Sequence, residues 1–84
     1  MRLIGVHEDD DGNGRYLLKR DGEGSRTTFL FYDEAGMVLR LVGRDEAEAL
    51  FAGGELERCS LPAGEVFFPD EMKRLESAFE EGRL

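Results

Sequence analysis

The pattern closest to a chemistry in this chain is Asp9-x-Asp11-x-Asn13-Gly14. Calcium loops of the EF-hand kind set oxygen ligands at positions 1, 3 and 5 and a glycine at position 6 for the sharp turn. A hard cation needs several oxygens around one centre, and alternate loop residues can supply them. Asp9, Asp11 and Asn13 are therefore the candidate metal ligands. The rest of the pattern is missing. The twelfth loop position, where a bidentate glutamate closes the shell, holds Arg20. The flanking segments also read as strands, not helices. The competing reading is a polar hairpin turn.

Other chemistry-bearing residues are isolated. A zinc site needs three or four nitrogen or sulfur ligands at defined spacings, and the chain has one histidine, His7, and one cysteine, Cys59. A Cys–His nucleophile pair requires the fold to bring these two together. Otherwise Cys59 reads as an inert, small, buried group and His7 as the end of a strand. Ser25, Ser60 and Ser77 lack a nucleophile-elbow context. Gly22-x-Gly24 precedes a strand, so it is not a dinucleotide loop. No P-loop pattern is present. The expectation is a non-enzyme without a cofactor.

Composition narrows the partners. Nineteen acidic against eleven basic residues give a net charge of −8. Such a chain is repelled by phosphate backbones and anionic lipid surfaces, so neither nucleic acid nor membrane is an expected partner. Arg40 with Arg44, and Lys73 with Arg74, are basic pairs set among acids. The apolar run at the N-terminus is too short for a signal peptide or a membrane span. A lone cysteine suits the reducing cytoplasm. The 84 residues are expected to form one domain, 1–84.

Glycine-rich turns then divide the chain into the elements that would position these residues. Strands are expected over 3–7, 15–20, 26–32 and 37–42, the third being the most β-prone. Turns fall at 9–14, where Asn13-Gly14 is a favoured hairpin pair, at 21–24 and at 33–36. A short helix near residues 45–52 opens on Asp45 with Glu48 three positions on, the capping-box pattern. Residues 56–61 read as a fifth strand, and 65–68 as a segment pairing back on it. Pro69 opens a C-terminal helix whose Met72, Leu75 and Phe79 share one face and which Gly82 ends, with Phe67 stapled onto Met72. The expected fold class is α+β: a small antiparallel sheet of four to five strands, a meander of hairpins. The C-terminal helix and the helix near 45–52 are expected to pack on one face of it.

The third and fourth strands are apolar on both faces. A two-residue loop at Glu34-Ala35 would pair Tyr32 with Met37 and Leu30 with Leu39. One face then carries Leu30, Tyr32, Met37, Leu39 and Leu41. The other carries Phe29, Phe31, Val38 and Val42, interrupted by Arg40. An antiparallel sheet covered on one side alternates apolar with polar. Phe29, Phe31, Val38 and Val42 are therefore the candidate interaction residues. The expected function is a small, acidic, non-catalytic protein-interaction module whose spare apolar face engages an unknown protein partner or a second copy in a homodimer. Alternatives are calcium binding through Asp9–Asn13, an acidic nucleic-acid mimic that blocks a partner, and a small enzyme with a site at a dimer cleft.

Overall fold

The computed structural model describes residues 1–22 and 26–81. Glu23 and Gly24 of the expected turn, Ser25 after it, and Gly82 to Leu84 after the last helix lie outside the described residues. The element order is β1 (Arg2–Glu8), β2 (Gly14–Asp21), β3 (Thr27–Asp33), β4 (Val38–Val42), α1 (Arg44–Ala52), β5 (Glu57–Pro62), a 3-10 turn (Ala63–Glu65) and α2 (Pro69–Glu81). The five strands form one antiparallel sheet in the order β4-β3-β2-β1-β5. The expected α+β class, with its C-terminal helix and short helix, is the observed one.

Two details differ from the sequence reading, and both bear on the site. The first is where the helices sit. Strands β1 to β4 are a meander, but α1 carries the chain across the sheet so that β5 pairs with β1 at the far edge. The helices consequently lie on opposite faces, not on one. Leu3, Leu18, Leu30, Tyr32, Ala63 and Phe67 pack with Leu75 and Phe79 of α2. Leu17, Phe29, Val42 and Leu56 pack with Ala47 of α1. Successive side chains of a strand point to opposite faces, so Leu17 and Leu18, like Phe29 and Leu30, serve different cores. Each of the five fully buried leucines (Leu3, Leu17, Leu18, Leu30 and Leu75) contributes about 1.5–3 kcal/mol.

The second difference is register. Asp33 pairs with Val38, Tyr32 with Leu39 and Leu30 with Leu41. The β3–β4 loop thus has four residues, Glu34 to Met37, and not two. Met37 closes it at a positive φ of 53°, and its N–H donates to the Glu34 carbonyl at 3.3 Å. The pairing moves by two residues, an even number, so every β3 and β4 side chain keeps the face assigned to it.

Local signals account for the rest. Gly43, and not Asp45, caps α1 without a side-chain bond; Asp45 and Glu46 fall in the first turn, where the helix dipole favours acids. In α2, Pro69 occupies the first helical position, and Glu71 reaches back to the Phe68 N–H at 3.5 Å. Residues 65–68 do not pair with β5. Glu65 ends the 3-10 turn, and the residues after it bury Phe67 against Tyr16, with ring centroids 5.0 Å apart. Within β1 the register slips between Leu3 and Gly5 against both neighbours. That bulge lets Leu3 and Val6, an odd number of residues apart, face α2 together while Ile4 faces α1.

Candidate interaction surface

The apolar face that the sequence leaves open is largely closed within the chain. Phe29 and Val42 are buried beneath α1, Phe31 is half-buried, and Val38 is exposed. Arginines complete the cover. Arg44 lies over Phe29 with its guanidinium carbon 5.7 Å from the ring centroid, Arg40 over Phe31 at 5.5 Å and Arg58 over Phe51 at 4.2 Å. Such stacks are worth about 0.5–1 kcal/mol where exposed, and their aliphatic stems shield the rings from water. Arg40 also donates to Glu46 of α1 at 2.6 Å, and that hydrogen bond holds the Glu46 carboxyl below the usual range. Arg58 pairs with Glu48 at 3.4 Å.

The Asp9–Asn13 segment is a closed hairpin loop. Asp9 Oδ1 accepts the N–H groups of Asp11 and Asn13, each at 2.9 Å. The Asp9 N–H donates to the Asn13 carbonyl at 2.9 Å, and Gly12 takes the turn at φ 83°. The positive-φ residue is therefore Gly12. Gly14 belongs to β2, where it is buried. One of the carboxylate oxygens proposed as a metal ligand is thus committed to backbone donors. Among the described residues, no group of three or more His, Cys, Asp or Glu comes together as a metal cage.

His7 and Cys59 are not brought together. Cys59 lies on β5 between Arg58, opposite Gly5, and Leu61, opposite Leu3. His7 is three residues along β1 from that level, roughly 10 Å away. The Cys59 thiol points to the Leu3 carbonyl at 3.7 Å, and burial pushes its pKa up. A polar cluster closes one end of the sheet. Glu34 Oε1 accepts the Gly14 N–H at 2.7 Å and the Tyr16 hydroxyl at 3.1 Å. Burial first, and the Glu34 charge second, push Tyr16 up to about 12. Glu34 Oε1 thus joins the start of β2 to the loop after β3.

A further concavity lies elsewhere. A groove of about 570 Å³ runs between β4 and α2. Leu39 and Leu41 of β4 and Ala78 of α2 give it an apolar lining, and Arg40, Lys73, Arg74, Ser77 and Glu81 border it. It follows the outer edge of β4, which has β3 as its neighbour on one side and, among the described residues, no strand on the other. Met37, the last loop residue, and Val38, at the head of the same strand, are 70% and 38% exposed. Lys73 and Arg74 of α2 bring two of the eleven basic residues of this acidic chain to that groove, while the Arg40 guanidinium lies on the other face over Phe31. Sequence reasoning missed it. The signal was the Lys73-Arg74 pair, which reads as diluted by its acidic neighbours until the helix turns those neighbours elsewhere.

Compared with known protein families, with curated proteins and with solved structures, the chain matches none significantly. No helix among the described residues is long and apolar enough to cross a membrane.

Proposed function

We propose that this chain is a small non-catalytic protein-interaction module that works through the β4 edge and the groove beside it. The observation that carries the reading is the coincidence of three features on one side of the molecule: an unpaired strand edge, an apolar trough, and a basic border on a chain of net charge −8. A strand edge presents a row of N–H and C=O groups ready for another strand. The trough accepts alternate side chains of that strand, and the cations select acidic flanks. The spare surface is thus the β4 edge with the trough on its α2-covered face, and not the face first considered, where Phe29 and Val42 serve the core and Val38 is exposed.

The acidic residues suit solubility better than mimicry of nucleic acid. They are spread over α1 and α2, on opposite sides of the sheet, and over the Asp9–Asp11 loop. A mimic needs them in a row on one face. The half-buried, unpaired Cys59 suits a reducing compartment, and we assign the cytoplasm on that basis.

The test is affinity purification of the full chain from its native cell with crosslinking, beside an Arg74→Glu variant. Crosslinks from β4 and α2 that disappear in the variant support the module. Partners that contact only α1 or the Asp9 loop, unaffected by the variant, would place the function elsewhere.

A further inference from the structure

We propose that the occupant of the β4 edge is a second copy of this chain, joined about a two-fold axis through the middle of β4. The inference rests on the interaction-module reading and names its partner.

The first argument is the strand itself. Residues 38–42 read Val-Leu-Arg-Leu-Val, a palindrome about Arg40. Antiparallel pairing about that centre sets Val38 against Val42 of the other copy, and Leu39 against its Leu41. The contact is self-complementary, as a closed two-fold interface must be. At the centre two Arg40 residues face each other, which alone would be unfavourable. Each is already bound to its own Glu46 at 2.6 Å, so the centre holds two neutral pairs.

The second argument is the absence of protection. Natural edges are blunted by proline, by charges that project outward, or by irregularity. The β5 edge has such guards in Glu57 and Pro62. Strand β4 has none: its single charge is folded back over Phe31 and onto α1.

The third argument is the charge pattern of α2. Arg74 and Glu81 both line the groove, seven residues apart on one flank. That is two turns, about 10.5 Å. A second α2 running antiparallel across the same axis sets Arg74 opposite Glu81 and Glu81 opposite Arg74, with the small side chains of Ser77 and Ala78 between them. Glu81 lies at the negative end of a helix whose last turn has no basic residue. The partner's Arg74 supplies a cation to that last turn, which among the described residues has none. Paired this way, the two sheets become one of ten strands, and the four leucines Leu39 and Leu41 from both copies close the trough between the helices.

Sedimentation equilibrium of the full chain up to about 200 µM, well above a micromolar dissociation constant, tests this. The wild type is expected at twice the monomer mass. Arg74→Glu and Glu81→Arg, both at exposed positions, should each weaken association at least tenfold. The double swap should restore it to within about threefold, since it rebuilds the pair across the axis. Hydrogen exchange adds a structural readout: outward amides of residues 38–42 gain protection with concentration. A wild type that stays monomeric, or a double swap that does not restore association, overturns the proposal. If that monomer still holds a crosslinked protein at β4 in an Arg74-dependent way, only the second copy is wrong. If nothing maps there, the module reading falls with it.

Discussion

Gly5 permits α1 to close its face of the sheet, and a single methyl group tests this. A Cβ built on Gly5 would stand 2.8 and 2.9 Å from Cε1 and Cζ of Phe51, and 3.4 Å from Cβ of Leu17. Real carbon contacts do not persist below 3.0 Å, so Gly5→Ala must displace the Phe51 ring. Overpacking of this kind costs about 1–3 kcal/mol, and the displaced ring loses its stack under Arg58, a further 0.5–1 kcal/mol or so. Against this, replacing a strand glycine returns about 0.5–1 kcal/mol of backbone entropy. The expected net loss is about 1–2 kcal/mol, a substantial part of the roughly 4–13 kcal/mol typical at this length. Urea unfolding of wild type, Gly5→Ala, Phe51→Ala and the double variant measures it. Without the ring, the Gly5→Ala substitution should become neutral or stabilising by up to about 0.5 kcal/mol, a coupling of about 2 kcal/mol. Equal costs in both backgrounds, within about 0.3 kcal/mol, would refute the placement of Phe51 over β1. The face beneath α1 would then be open after all.

Three further outcomes follow from local geometry. Met37 is 70% exposed at a φ of 53°, so Met37→Gly should raise stability by about 0.5–1 kcal/mol in thermal melts; a loss would mean the side chain is held by something. Asp9→Ala should cost about 1–2 kcal/mol by leaving the Asp11 and Asn13 N–H groups without their acceptor, while Asp9→Asn keeps an oxygen there and should stay near wild type. Calcium that stabilised the wild type but not Asp9→Asn would instead make this loop a metal site. Tyr16 ionises near 12 in the fold against 10.0 in the unfolded chain. Its neutral form is the folded one, so the stability is complete below pH 10 and is lost as pH rises towards 12. The bare difference is nearly 3 kcal/mol. Partial exposure of the ring reduces it to about 1 kcal/mol, readable as a steeper alkaline fall in stability than Tyr16→Phe shows.

Strands β1 to β4 were legible because alternation and glycine turns are local signals. So was α2, from Pro69 and the Met72–Leu75–Phe79 spacing. The pairing of β5 with β1 was not, because nothing near residues 57–62 encodes which edge they reach; that depends on α1 crossing the sheet. The two-faced apolarity of β3 and β4 is legible in the sequence, but its cause is not. Opposite-face helices explain it without a partner, and three arginines, which a hydropathy pattern counts as polar, finish the cover. The loop register was wrong by two because Met37, a residue with no turn preference, takes the left-handed conformation. The metal-like spacing at Asp9 reflects an Asx-type turn, in which the carboxylate answers backbone donors. The β4 groove escaped notice because its lining comes from segments more than thirty residues apart.

The interior position of β1 has a kinetic consequence. Leu3 pairs with Leu18 through a short hairpin on one side and with Leu61 on the other. The meander of β1 to β4 closes through short loops and can form early, whereas β5 waits for the long closure that α1 makes. In that interval the sheet has two bare edges, β1 and β4, and the hydrophobic side later covered by α2 is in water. Refolding is then a race between intramolecular capture of β5 and capture of the β1 edge by another molecule. The first rate is independent of concentration and the second rises with it, so the yield of correctly folded protein should fall as refolding concentration increases.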